Sequence, residues 1–361
     1  MKTTPKNILL LTSEFPPLPG GIGNHAYFLS KYLQASGYQM TVLTNNRHTV
    51  DDTHFDALQG FKTIRIKRSA FTYFQRIIKA FSVIKNRHIV IASGKFSLWS
   101  GAFLNLFFPK KRYLAVLHGT ELKAGGKLSQ LMTKWSLKRF DKLIAVSRFT
   151  KNEALKIHPK LTVEVINNGI EFKKATQLPP KPEGLNLITV GQVNTRKGQQ
   201  NVIKALPLLK EAFPNVHYHC VGIPTMQAEF TQLAMQLHVI ENITFHGAVS
   251  ENRKNDLLQK STLFIMLSEK AGNDFEGFGI AILEANAFGL PAIGTLNSGI
   301  ADAINDGYSG KLVDPHQPKE IVDAIKELLA YQDKYASNAE EWAALFDWNI
   351  AIKKYIEVIE S

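Results

Sequence analysis

Short apolar runs alternate with longer segments of helical period along the whole chain. Asn7 to Thr12, Gln39 to Leu43, Phe61 to Lys67, His88 to Ala92, Tyr113 to Leu117, Asp141 to Ser147 and Val163 to Ile166 read as strands. Most are continuously apolar, the pattern of parallel strands buried on both faces. Between them, helices are predicted over 24–36, 71–85, 96–108, 123–140 and 148–155, with Asn24 and Ser147 as N-caps and Gly37 as a terminator. The alternation resumes with strands at 187–190, 217–221, 243–245, 263–267, 290–293 and 310–313. Helices are predicted at 200–213, 228–237, 253–260, 279–288, 318–331 and 347–359. Repeated strand–helix units predict two doubly wound α/β domains. The stretch Glu171 to Asn186, with three prolines and little periodicity, reads as the linker between them.

At 361 residues the chain can bury two cores. No stretch approaches the ~20 apolar residues of a membrane span. Glu14 follows the first apolar run too soon for a secretory leader, and Cys220 is the single cysteine. A reducing, cytoplasmic setting is therefore expected. Charge changes the picture further. Residues 1–170 hold 26 Lys and Arg against 8 Asp and Glu, whereas residues 171–361 hold 17 against 23. A basic first half predicts an anionic partner, and its basic, aromatic segments at 61–112 point to an anionic membrane surface rather than to nucleic acid.

Candidate chemistry sits in the loops that follow strands. The first, Ser13 to Gly23, holds three prolines and three glycines. It lacks the G-x-G-x-x-G spacing, and no acid closes the second strand, so a nicotinamide dehydrogenase is poorly supported. Gly20 and Gly21 would let backbone approach a ligand. His118, Gly119, Thr120 and Glu121 follow the strand at 113–117, where open α/β sheets bind ligands. Arg196 and Lys197 precede a helix, a pairing suited to a diphosphate. Glu276 and Glu284 lie eight positions apart. On one continuous helix they would point ~80° apart and ~12 Å distant. They can flank one ligand if Glu276 sits on the loop and Glu284 on the helix, with the backbone of Gly277, Phe278 and Gly279 between them as an anion seat.

Together the Gly20-Gly21 loop, His118-Gly119, the strand Asp141 to Ser147, the Asn168-Gly169-Ile170 turn, Lys197-Gly198 and Glu276-x7-Glu284 resemble glycosyltransferase family 4. The Phe15-Pro16-Pro17 opening and the long loop Ser268 to Phe275 are similar to those of bacterial phosphatidylinositol mannosyltransferases. The resemblance implies the GT-B fold, two facing Rossmann-like domains with a cleft between them. On this basis residues 1–172 form an acceptor domain and 173–345 a nucleotide-sugar domain, with helix 346–361 packing back on the first. It also implies roles. Glu276 binds the donor sugar's hydroxyls, Glu284 the nucleotide ribose, Lys197 the diphosphate with Gly20 and Gly21, and His118 lies beside the reacting sugar. Gln192 stands where many members have arginine, so either Arg196 supplies the missing cation or donor activation is weaker.

The expected activity is retaining transfer of a hexose, of mannose or glucose type, from a nucleotide-diphosphate sugar to a lipid-linked or cell-envelope glycan acceptor. The protein would sit peripherally on the inner face of the cytoplasmic membrane. No D-x-D triplet occurs, so neither a bridging metal nor another cofactor is expected. The competing readings are an inactive GT-B subunit that binds a glycan or protein partner, and a sugar-nucleotide epimerase.

Overall fold

The computed structural model describes residues 6–17, 20–46, 49–122, 125–172, 183–272 and 274–361. They form two compact units. Unit 1 comprises the chain up to Gly169 together with Trp348–Ser361, and unit 2 is Ile170–Asp347. The expected borders were at 172 and 345. The expected linker at 171–186 lies largely outside the described residues.

Unit 1 alternates strand and helix: β1 (Asn7–Thr12), α1 (Gly21–Ala35), β2 (Gln39–Asn45), α2 (Thr49–Ala57), β3 (Lys62–Ile66), α3 (Thr72–Ile84), β4 (Ile89–Ser93), α4 (Lys95–Phe107), β5 (Arg112–Leu117), α5 (Lys127–Leu137), β6 (Lys142–Ala145), α6 (Arg148–Ile157) and β7 (Val163–Val165). All pairings are parallel, in the order β3-β2-β1-β4-β5-β6-β7. The strand order reverses at β1, which pairs β2 on one side and β4 on the other. The carboxyl ends of β1 and β4 therefore border the crevice where such sheets bind ligands. Apolar side chains of β1, β4 and β5, including Leu9, Leu11, Val90, Tyr113 and Leu117, are sealed beneath the helices. That is why these strands read as unbroken apolar runs.

Unit 2 repeats the plan with β8 (Asn186–Val190), α7 (Gln199–Ala212), β9 (His217–Val221), α8 (Gln227–Gln236), β10 (Ile243–Gly247), α9 (Glu251–Lys260), β11 (Leu263–Met266), α10 (Ile280–Asn286), β12 (Ala292–Thr295), β13 (Gly310–Val313), α11 (Pro318–Ala330) and α12 (Gln332–Ala344). Its sheet runs β10-β9-β8-β11-β12-β13 and reverses at β8. The loops after β8 and β11 consequently leave adjacent strands at the same edge. The last helix, α13 (Trp348–Glu360), returns to unit 1. There Trp348 and Tyr355 are buried, and Tyr32 and Phe28 of α1 stack on the indole. Among the described residues no helix is long and apolar enough to cross a membrane.

Two helices, α2 and α12, were not foreseen. α1 starts at Gly21 rather than after Asn24. Asn24 N–H donates to Gly20 O at 2.9 Å, so Asn24 sits inside the first turn and does not cap it. Ser147 does cap α6, its hydroxyl accepting from Thr150 N–H at 3.0 Å.

Candidate functional site

In unit 2 the reversal at β8 explains why residues eighty positions apart in sequence meet. The loop after β8 tightens into a single 3-10 turn, Thr195–Lys197, whose start is capped by Asn194; the Asn194 side chain accepts from Lys197 N–H at 3.1 Å. Arg196 and Lys197 therefore lie on their own turn ahead of α7. Gly198 follows with φ +81°, and a Cβ there would fall 1.8 Å from Leu267 O on the neighbouring loop. Only glycine permits that approach. Across it, Ser268 Oγ donates to Arg196 O at 2.6 Å and Glu269 N–H to the same carbonyl at 3.3 Å. Gln200 and Asn201 of α7 in turn donate to the Glu269 carboxylate at 2.7 and 3.2 Å. The two loops are stitched together.

This stitching brings Glu276 to both cations. Its Oε2 takes Lys197 Nζ at 3.0 Å and also Arg196 Nη1. Asp274 stands further off, 3.7 Å from Arg196 Nε. Burial alone would push the Glu276 carboxyl up, but Lys197 and Arg196 outweigh it and hold the group below the usual carboxylate range. Glu276 is thus a fixed anion, able only to accept hydrogen bonds, with two cations beside it. Its turn is pinned from behind, where Gly299 N–H donates to Glu276 O at 3.1 Å and a Cβ on Gly299 would sit 2.2 Å from the carbonyls of Glu276 and Gly277.

The remaining expected donor residues of unit 2 divide. Glu276 is on the loop and Glu284 in the second turn of α10, the arrangement that the spacing required. Gly279 opens the helix with φ +85°. Phe278 is 2% exposed and packs near Phe346, so its side chain belongs to the core and only its backbone is available. Glu284 bonds Lys254 Nζ of α9 at 2.9 Å, and the same ammonium reaches Glu251 at 2.7 Å. Burial would lower the Lys254 pKa, but the two acids outweigh it and hold it above its ordinary value. The sequence reading missed Lys254, because nothing in the spacing of α9 tells that its first turn faces α10. Gln192 is exposed and donates to Thr225 Oγ1 at 2.7 Å.

In unit 1, His118 follows β5 and is 8% exposed. Its Nε2 meets Ser93 Oγ of β4 at 3.0 Å. Glu121, fully buried, ties the two strand ends: Oε2 accepts from His118 N–H at 3.0 Å and Gly119 N–H at 2.9 Å, and Oε1 from Gly94 N–H at 2.9 Å. Burial raises its pKa against the pull of those N–H groups. Burial also pushes His118 down to about 3, so the imidazole is neutral at neutral pH. His25 of α1 lies against it, ring centroids 4.8 Å apart, a contact that sequence gave no means to foresee. Gly20 precedes α1 and Gly21 begins it; a Cβ at Gly21 would meet nothing within 4 Å.

Two parallel doubly wound units, each with its charged or polar residues at the edge where strand order reverses, define the GT-B class of glycosyltransferases. Solved structures agree: sucrose-phosphate synthase from Thermosynechococcus elongatus superposes with TM-score 0.82 at 19% identity, covering 98% of both chains. The Anabaena protein HepE in complex with UDP-glucose superposes with TM-score 0.80 at 18% identity, covering 98% of this chain and 99% of its own. In sequence, residues 19–174 match the model of Glycosyltransferase Family 4 and residues 171–343 that of Glycosyl transferases group 1. The chain belongs to glycosyltransferase family 4. Among its relatives is a GDP-mannose-dependent alpha-(1-6)-phosphatidylinositol monomannoside mannosyltransferase of Mycobacterium tuberculosis, 25% identical over 98% of this chain and 97% of that protein. Another is a glycogen synthase of the same organism, 24% identical over 94% and 91%.

Proposed function

We propose that this glycosyltransferase moves a hexose, of mannose or glucose type, from a nucleotide-diphosphate sugar to a lipid-linked or envelope-glycan acceptor, with retention at the anomeric carbon. The observation that carries the reading is the Arg196–Lys197–Glu276 cluster at the carboxyl edge of β8 and β11. As the bond from the anomeric carbon to the diphosphate oxygen breaks, negative charge builds on the leaving group, and fixed cations stabilise it. Arg196 and Lys197 take that role in place of an arginine at Gln192. Glu276, ionised and held by both cations, accepts hydrogen bonds from sugar hydroxyls, and Glu284, braced by Lys254, holds the ribose. The acceptor oxygen bonds the same face of the sugar, and its proton passes to the departing phosphate oxygen. Unit 1 takes the acceptor beside His118.

A membrane acceptor is supported by the surface of unit 1. Helix α4 packs against both α3 and α5, and Phe81 of α3 meets Phe103 and Phe107 of α4 at 6.1 and 5.1 Å. Across these helices and their starts Phe71, Phe74, Phe107, Leu128 and Leu131 are each more than half exposed. An apolar area of this kind, on the strongly basic half of the chain, suits an anionic bilayer. The mycobacterial mannosyltransferase, named for a phosphatidylinositol mannoside, supports a lipid acceptor of the same kind.

Incubation with GDP-mannose, UDP-glucose or UDP-N-acetylglucosamine plus membrane lipid extract tests the reading. One donor should be consumed and its sugar found on lipid or glycan, and Glu276→Ala should abolish transfer. Consumption of none, with Glu276→Ala behaving as the parent, would refute it. For the membrane, cosedimentation with anionic vesicles should exceed that with neutral ones, weaken with salt and drop in Phe74→Glu/Phe107→Glu. Equal binding to both vesicle types would remove the membrane from the proposal.

A further inference from the structure

A buried row of side chains in unit 1 leads to His118 from two residues, His25 and Tyr355, that have no part in the reaction described above. Tyr355 of α13, 1% exposed, meets His25 Nε2 at 2.8 Å through its hydroxyl. His25, also 1% exposed, stands edge to face with His118 at 4.8 Å and 74°. His118 in turn reaches Ser93 at 3.0 Å. Trp348 backs the row, 5.5 Å from the His25 ring and stacked at 25° with Tyr355. The row joins the final helix to the residue placed beside the reacting sugar.

One hydrogen bond at 2.8 Å joins the Tyr355 hydroxyl to His25 Nε2, the hydroxyl donating to one His25 tautomer or accepting from the other, and His25 Nδ1 has no hydrogen-bond partner. In either form the bond ties the position of the His25 ring to α13. A second charge beside His118 would repel any proton on it, and burial opposes charge on both rings. With its Nε2 turned to Ser93, His118 keeps Nδ1 as the ring nitrogen that a ligand can use.

We infer that His25 and Tyr355 are positioning residues for His118. Tyr355 sets the tilt of His25, and the His25 ring fixes the plane in which His118 presents Nδ1 to the acceptor. Helix α13 is by this inference a working part of the unit 1 site and not only a brace. The inference rests on reading His118 as the residue beside the reacting sugar.

The test uses the full chain with 15N-labelled histidine and three variants. Tyr355→Phe removes one oxygen and keeps the ring, and His25→Phe keeps a ring and removes both nitrogens. Tyr38→Phe is the control, since Tyr38 anchors α13 elsewhere by donating to Glu360 at 2.6 Å. The expected result is that Tyr355→Phe and His25→Phe shift the His118 ring nitrogen signals and lower kcat about five- to tenfold or more, with donor KM unchanged. Tyr38→Phe should do neither. Unmoved His118 signals in Tyr355→Phe overturn the inference. So do moved signals with unchanged kcat, or an equal shift in Tyr38→Phe, which would mean that helix docking alone is responsible. A parent protein that consumes no nucleotide sugar would sink the transferase reading separately, with the nitrogen spectra still deciding whether Tyr355 and His25 set His118.

Discussion

Replacing Glu276 by glutamine keeps the shape of the side chain and removes the charge that holds Arg196 and Lys197. At 3.0 Å the Lys197 pair alone has a gross attraction of about 5–6 kcal/mol at an effective dielectric of ~20. Desolvation of the three groups costs several kcal/mol against this. Loss of one partner of a buried pair typically costs about 3–5 kcal/mol. Here the Arg196 and Lys197 side chains keep 21% and 13% exposure, so water screens the orphaned cations, and about 2–3 kcal/mol is expected. The assay is urea unfolding at neutral pH, resolved by hydrogen exchange on unit 2 peptides so that the two units are not averaged. The parent should also lose part of this difference on acidification. Its Glu276 pKa is lowered on folding, so the stabilisation is full above the unfolded carboxylate pKa and drains as pH falls through the folded one. Glu276→Gln should lack that acid limb, and transfer should drop about 100-fold or more. A variant within about 0.5 kcal/mol of the parent, with the same acid profile, would show that the cations do not depend on this carboxylate.

Three further outcomes are expected. Gly198→Ala combines a left-handed backbone with a clash on Leu267 O, so unit 2 should lose more than about 2 kcal/mol, read as a fall in its urea midpoint. His25 and His118 both have folded pKa values below the ordinary imidazole value, His118 at about 3. Their stabilisation of unit 1 is full above pH ~6.5 and falls by about 1.4 kcal/mol per pH unit for each ring as pH drops below that; His118→Gln should flatten the slope measured by exchange on unit 1 peptides. Lys254→Met should leave α9 folded but free the Glu284 carboxylate, raising donor KM about three- to tenfold in the transfer assay; an unchanged KM would separate Glu284 from ribose binding.

The two doubly wound sheets were legible because their strands are buried on both faces and so announce themselves as apolar runs, as in Leu263 to Met266 and Ile89 to Ser93. The placement of Glu276 on a loop and Glu284 on a helix was also legible, since no single helix could serve both. Elements with a weak apolar face were not. Helix α2 reads TVDDTHFDA, and its acids serve Arg65, which bonds Asp52 and Asp56 at 2.9 and 2.8 Å, a long-range ion pair that local pattern does not reveal. Pairings across elements were likewise hidden. Nothing near Lys254 in sequence points to Glu284, and His25 lies in an otherwise ordinary amphipathic helix whose partner, Tyr355, is 330 residues away. The partner of Gln192 was hidden in the same way, since its side chain donates to Thr225, 33 positions on.

Unit 1 is interrupted in sequence by the whole of unit 2 and resumes only at Trp348. As the chain is synthesised, its first 169 residues emerge with a cavity where Trp348 belongs and with His25 lacking the hydroxyl of Tyr355. A domain that ordinarily folds as a unit once it leaves the ribosome here has all its strands early but waits for α13, while unit 2, begun later, is complete at Asp347 before that helix is made. The order of completion is therefore the reverse of the order of synthesis, and a nascent chain stalled before residue 348 should hold a folded second unit tethered to an unfinished first.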